Sequence, residues 1–127
     1  LLTFYFRNWW TEGRSEEQAR RIVANSHVVL LLAENEDRVV GFARILTDGV
    51  VYGYIADVMV DPDERDRGLG RRLMDAVLAH PVLDGVTTVE LTCQPAMDDF
   101  YARFGFRRPA NGSHVLRRRH AVAHSLA

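Results

Sequence analysis

Val60-Asp61-Pro62-Asp63-Glu64-Arg65-Asp66-Arg67-Gly68-Leu69-Gly70-Arg71-Arg72-Leu73-Met74 is the stretch on which the reading of this chain turns. An apolar strand ends at a Pro-containing turn. A polar loop follows, with glycines at 68 and 70, and an amphipathic helix then begins. The first N–H groups of a helix have no partner inside it, and the helix dipole adds partial positive charge there. Such a place holds a phosphate or pyrophosphate with few side chains, and glycine lets the backbone come close. No Lys-Ser or Lys-Thr follows the last glycine, which argues against a nucleoside-triphosphate loop. No Gly-x-Gly-x-x-Gly opens a repeated strand–helix pattern, which argues against a dinucleotide site.

A second motif lies downstream, Phe100-Tyr101-Ala102-Arg103-Phe104-Gly105-Phe106, at a distance that leaves room for one helix and one strand. The Arg-x-x-Gly-x-Gly loop beginning at Arg65 resembles the acyl-coenzyme-A pyrophosphate loop of the GNAT superfamily of N-acetyltransferases. The downstream motif resembles that family's Leu/Phe-Tyr-x-x-x-Gly-Phe signature. The resemblance covers roughly residues 1 to 108 and is strongest to short bacterial single-domain members. It also rests on Trp9-Trp10-Thr11-Glu12-Gly13-Arg14, Gly41-Phe42-Ala43-Arg44, Thr47-Asp48 and Tyr54-Ile55-Ala56-Asp57-Val58-Met59-Val60.

At 127 residues the chain reads as one domain, 1–127, with a single core; the family's usual first strand has no obvious counterpart. Hydrophobic content is 47% and charged content 26%, which suits a globular protein. The longest apolar run, Val28 to Ala33, is too short to span a bilayer. A net charge of −1 gives no general support to nucleic-acid binding. The single Cys93 excludes an internal disulfide framework and points to a reducing, cytoplasmic setting. The five histidines show no metal-ligand spacing with Cys93, so no metal is expected. All 16 basic residues are Arg.

Along the chain, Ser15-Glu16-Glu17-Gln18 is a capping box opening a helix to about Asn25, with Ala19, Ile22 and Val23 on its apolar face. An earlier short helix is expected over Leu1–Trp10. Val28–Ala33 reads as a buried strand, Glu34–Asp37 as a turn and Arg38–Leu46 as the next strand. A hairpin at Thr47-Asp48-Gly49 leads into a strand over Val50–Val60. A helix over Gly68–His80 presents Leu69, Leu73, Ala76 and Val77 and is stopped by Pro81. A strand over Val86–Cys93, a helix over Ala96–Phe104 and a closing hairpin of 106–108 with 114–120 complete the chain. The expected fold is mixed α/β, a mostly antiparallel central sheet flanked by helices, as in GNAT acyl-CoA N-acyltransferases.

The resemblance implies acetyl-CoA as co-substrate and no metal. It implies a pyrophosphate held by Arg65, Asp66, Arg67, Gly68, Leu69, Gly70 and Arg71, and an acyl-pantetheine paired with the backbone of Val58, Met59 and Val60. Gln94 stands where many relatives have Asn. Asp66 replaces a usual glycine, and a carboxylate beside a pyrophosphate must point outward. The resemblance places Tyr101 near the thioester sulfur as the acid for the leaving thiolate. With ordinary pKa values of ~8.5 and ~10, full proton transfer is uphill by about 2 kcal/mol.

Asp57 interrupts an apolar strand, where a carboxylate is costly unless paired or wet. It reads equally as an anchor or proton relay for the amine and as a structural partner of an Arg such as Arg44. Tyr54 stands near the position of a catalytic Glu in some relatives and reads as a cleft wall. Trp10 and Arg14 fall where acceptors bind in related folds, with Arg14 a reader of an acceptor carboxylate. A primary amine of pKa ~10.4 is neutral in about one molecule in a thousand at pH 7, so a proton route is needed. The expected function is acetyl transfer to a primary amine of a small molecule or peptide by direct attack, in a bacterial protein compatible with a homodimer. The alternative is a non-catalytic acyl-CoA-binding sensor or interaction domain.

Overall fold

A computed structural model describes residues 14–35, 38–64 and 67–120. The expected helix over Leu1–Trp10, the residues Trp9, Trp10, Glu36, Asp37, Arg65 and Asp66, and the last seven positions lie outside these. The described chain forms two compact units, one up to Thr92 and one from Cys93 onward.

The first unit contains α1 (Glu16–Asn25), β1 (Val28–Asn35), β2 (Arg38–Thr47), β3 (Tyr52–Val60), α2 (Leu69–Ala79) and β4 (Thr88–Leu91). The strands form one sheet in the order β1-β2-β3-β4. The first three are antiparallel, and β4 joins β3 in parallel. The expected mixed, mostly antiparallel sheet is therefore the observed one. The parallel pair follows from α2, since parallel neighbours need a long crossover and α2 supplies it.

The capping box forms as read. Gln18 N–H donates to Ser15 Oγ at 3.0 Å, and Ser15 N–H donates to Gln18 Oε1 at 2.8 Å. Side chains alternate along β2, so Phe42, Arg44 and Leu46 share one face and Ala43 and Ile45 the other. Phe42 packs with Ala19 and Met59, all essentially dry, and with Val23, Val29 and Val39 around them. Burying a side chain of this size stabilises the fold by about 1.5–3 kcal/mol. On the other face Ala43 and Ile45 are equally buried, and α2, which packs on β1, β2 and β3, buries Leu73, Met74 and Val77.

Several expectations need correction. β1 is an edge strand; none of its residues is fully buried, and Leu31 is exposed. The buried face of α2 includes Met74 where Ala76 was expected, because helical spacing admits either stripe and docking on the sheet turns 73, 74 and 77 inward. β3 begins at Tyr52, not Val50, because Asp48 Oδ1 takes the N–H groups of Val50, Val51 and Tyr52 and holds them in the turn. These three bonds also lower the Asp48 pKa. β4 is four residues long, matching the four residues Tyr52–Ile55 that it faces.

The second unit contains a 3₁₀ turn, Pro95–Met97, and α3 (Asp98–Ala102). It is shorter than the helix expected over Ala96–Phe104. Its end explains the Tyr-x-x-x-Gly-Phe spacing. Phe106 N–H donates to Tyr101 O at 3.2 Å and Gly105 N–H to Ala102 O at 3.0 Å, nested about Gly105 at φ 90°. The rings of Tyr101 and Phe106 meet edge-on, 6.2 Å between centroids. This is a Schellman end with its apolar contact, and only glycine takes its left-handed position without cost. The closing hairpin does not form. The turn at 109–113 is present, with Ser113 N–H on Asn111 Oδ1, but 106–108 and 114–120 make no ladder. Pro109 lacks an N–H, and the Arg-rich flanks have no apolar face to bury. Arg117–Arg119 is thus an exposed irregular segment and not the expected edge strand. Cys93 lies beyond the end of β4, half-buried, with Sγ 3.6 Å from Asp98 Oδ1. Burial and that carboxylate raise its pKa.

Candidate functional site

β3 and β4 pair only as far as Ile55 with Leu91. β3 continues to Val60, held on its other edge by β2 through Phe42–Met59 and Gly41–Val60. From Ala56 to Val60 the β4-side edge therefore has no strand partner among the described residues. Val58, Met59 and Val60 lie in this splayed segment, and Met59 is buried in the core. The splay has a local cause. Between the pairs Phe42–Met59 and Arg44–Ala56 the register slips, so Asp57 and Val58 together oppose Ala43. This is a β-bulge, and Asp57 occupies it at φ 54°. Asp is among the few residues that accept the left-handed region.

Two arginines fix the Asp57 carboxylate, whose side chain is 8% exposed. Arg44 Nε donates to Oδ2 at 2.7 Å, and Arg14 Nη1 donates to the same oxygen at 3.1 Å. Oδ1 has no partner among the described residues. The Asp57–Arg44 pair is the structural partnership that the sequence allowed. Arg14, read as facing an acceptor, also contacts Asp57. Arg44, Arg14 and Leu46 border a cleft of about 510 Å³, whose opposite wall is Gln18, Arg21, Ile22 and Asn25 of α1. Leu46 is directly paired with Tyr54 across the sheet, and the Tyr54 hydroxyl donates to Thr92 Oγ1 at 2.8 Å.

The loop after β3 is anchored by Asp61, which is 2% exposed. Its N–H donates to Val40 O at 2.8 Å, and its Oδ1 accepts from Asp63 N–H at 2.9 Å. Asp-Pro-Asp is an Asx-turn sequence, and that signal could have marked Asp61 as a structural residue. At the other end of the loop Gly68 begins α2 at φ 74°, and no side chain caps the helix. Space around Gly68 is open: an added Cβ would meet nothing within 4 Å. Arg72 N–H bonds Gly68 O at 3.1 Å, which leaves the preceding first-turn donors of α2 outside the regular helical ladder. Arg67, Leu69, Gly70 and Arg71 sit here, while Arg65 and Asp66 lie outside the described residues.

Gln94 and Tyr101 belong to the second unit. Gln94 O accepts from Met97 N–H at 2.8 Å and starts the 3₁₀ turn. Tyr101 is 8% exposed, and its pKa is pushed up to about 12, chiefly by burial and then by Cys93. Among the described residues no group of three or more His, Cys, Asp or Glu is placed to hold a metal ion. No helix of the described residues is long and apolar enough to cross a membrane.

A bulged, splayed strand leading through a short loop into an uncapped, glycine-started helix, on a sheet of this order, defines the acyl-CoA N-acyltransferase class of fold. A family model described as "Acetyltransferase (GNAT) domain" matches residues 6–117, and the chain belongs to that family. A GNAT-family structure from Xanthomonas campestris pv. campestris superposes with a TM-score of 0.78 at 30% identity, covering 92% of this chain and 80% of that one. Serotonin N-acetyltransferase 2, chloroplastic, of Oryza sativa subsp. japonica is 36% identical over 96 residues, 73% of this chain and 48% of that protein. Glucosamine 6-phosphate N-acetyltransferase 1 of the same plant is 39% identical over 54 residues, 42% of this chain and 33% of that protein. The chain thus spans about half the length, or less, of these curated relatives.

Proposed function

We propose that this chain transfers an acetyl group from acetyl-CoA to a primary amine by direct attack. The observation that carries this reading is the open β3 edge at 56–60, leading through the 61–68 loop to the uncapped start of α2. The residues fit the group: backbone of Val58–Val60 for the pantetheine arm, and amides of 67–71, with Arg67 and Arg71, for the pyrophosphate. When bound, acetyl-CoA supplies the acetyl thioester.

The chain's own residues then have three tasks. The Asp57 carboxylate, held on one oxygen by two arginines, offers Oδ1 to the acceptor's ammonium and to the proton that must leave it. Two protons leave the acceptor nitrogen, one from the ammonium before attack and one as the N–C bond forms and the C–S bond breaks, and both pass to solvent. Tyr101 stabilises the departing thiolate. With its pKa at about 12 against ~8.5 for a thiol, outright proton transfer would be uphill by about 5 kcal/mol, so its part is a donated hydrogen bond. Tyr54 walls the acceptor side, where Trp10 also falls by family resemblance, and Arg14 reads an acceptor carboxylate.

Serotonin and glucosamine 6-phosphate both present a primary amine, which supports that acceptor class here. The single Cys supports a reducing, cytoplasmic setting. The test is thiol release on mixing with acetyl-CoA and a panel of primary amines, beside the melting temperature with CoA. A thermal upshift with thiol release is expected. An upshift without turnover on any amine would leave a binding domain; no upshift would remove the reading.

A further inference from the structure

We propose that the amine acceptor also carries an oxyanion, a carboxylate or a phosphate, and that Arg44 and Arg21 hold it in the cleft between α1 and β2. The proposal rests on the transferase reading above. The cleft volume of about 510 Å³ suits a small molecule. One wall is the helical stripe 18, 21, 22 and 25, at the i, i+3, i+4, i+7 spacing that brings side chains onto one face. The other wall is Arg44 and Leu46, two apart on a strand and so on one face.

Charge at the cleft is net positive, with Asp57 the counter-charge to Arg14 and Arg44. Arg14, Arg21 and Arg44 border it, and no carboxylate is among its lining residues. Arg44 is only 15% exposed and is aimed by two contacts: Nε on Asp57 Oδ2 at 2.7 Å and Nη1 on Ser26 Oγ at 3.5 Å. Its Nη2 has no partner among the described residues. A guanidinium held in place by two contacts, with an accessible donor still open, suits an anionic acceptor group, and planar oxyanions match its fork. The Arg21 side chain on the facing wall makes no ion pair or hydrogen bond among the described residues. Ile22 and Leu46 add apolar surface, which matches a carbon body between the two charges.

Arg44 and Asp57 are one ion pair in which Nη2 of one and Oδ1 of the other have no partner among the described residues. A molecule carrying both an oxyanion and an ammonium complements such a pair, whereas a simple alkylamine uses only half of it. Arg44 and Arg21 are positioning residues that set specificity.

The test is an NMR titration of the CoA-saturated protein with inorganic phosphate and, separately, with glutarate. CoA saturation fills the start of α2, and the two probes separate phosphate from carboxylate preference. Wild type is expected to bind at least one of them at α1 and β2. Arg21→Glu, at an exposed position, and Arg44→Gln are each expected to weaken that binding by about tenfold or more. Arg20→Glu reverses the same charge one residue off the stripe and is expected to leave it unchanged. In turnover, Arg21→Glu should raise KM for 4-aminobutyrate or O-phosphoethanolamine relative to butylamine and ethanolamine, with kcat little changed. If Arg44→Gln does not fold, Arg21→Glu decides. No binding of either anion by wild type, or equal losses in Arg20→Glu and Arg21→Glu, overturns the proposal. CoA titrations on the same proteins keep the two readings apart. Retained CoA binding without anion binding removes only this inference, whereas absent CoA binding removes the transferase reading.

Discussion

The start of α2 and the cleft between α1 and β2 are both suited to anions, by opposite means. At α2 the donors are backbone N–H groups, made available by Gly68 at φ 74° and by the absence of a side-chain cap. In the cleft they are guanidinium groups fixed by other side chains, Arg44 by Asp57 and Ser26. The first kind needs a specific local backbone and a close approach. The second needs residues far apart in sequence brought to one face. Substitutions should therefore act differently on the two: through added bulk and charge at α2, through lost or unbalanced charge at the cleft.

The largest effect expected is at α2. Gly70→Asp adds a Cβ and a negative charge at the proposed pyrophosphate site and should weaken CoA binding by roughly 10²-fold or more. Phosphate or glutarate binding in the cleft should be untouched, as titration of both ligands on one preparation will reveal. Equal CoA affinity in the variant would sink the loop assignment.

Tyr101→Phe asks whether binding and chemistry separate. It keeps the buried ring and removes the hydroxyl. Single-turnover rates should drop by about 10²-fold with CoA affinity little changed; an unchanged rate rules out the thiolate role. The same residue gives a pH signature. Its folded pKa of about 12 lies above the ordinary tyrosine value of 10.0, so the unfolded chain loses this proton first. Stability is unaffected by Tyr101 below pH 10 and falls as pH rises from there toward 12. Tyr52, raised to about 12 by its hydrogen bond to Glu90, acts in the same direction. Denaturant melts across this range should show a shallower decline in Tyr101→Phe than in wild type.

Asp57→Asn tests what joins bulge and cleft. Asn tolerates the left-handed backbone, so the bulge should persist. Arg44 loses its counter-charge, and a destabilisation on the order of 3 kcal/mol is expected from denaturant unfolding. Amine turnover should fall sharply, while CoA titration remains close to wild type. A stable, fully active variant would remove both roles assigned to Asp57.

How much of this was legible in sequence depended on range. The capping box at Ser15–Gln18 and the end of α2 at Pro81 formed as read, because caps and proline act within four residues. The Tyr101–Phe106 spacing was recognisable, and its physical basis is also local, a Schellman end around Gly105. The closing hairpin was misread. A turn sequence at Asn111-Gly112 was present, but a ladder also needs a face to bury, and Arg107, Arg108 and Arg117–Arg119 supply none. Ala76 was preferred to Met74 because helical spacing admits both stripes, and only the sheet chooses between them.

The sequence by itself determined the element order from α1 to α3, the glycine loop, the signature at Tyr101 and the family they point to. Each is written in contiguous residues whose backbone preferences are fixed by near neighbours. Only the tertiary structure decided the bulge at Asp57, where β3 opposes two residues to Ala43. It alone brought Arg14, Arg21 and Arg44 to one cleft and made Asp57 the shared partner of two of them. Strand register and helix docking are set by burying Phe42, Ala19 and Met59 together, and no local pattern records which distant polar groups that packing brings face to face.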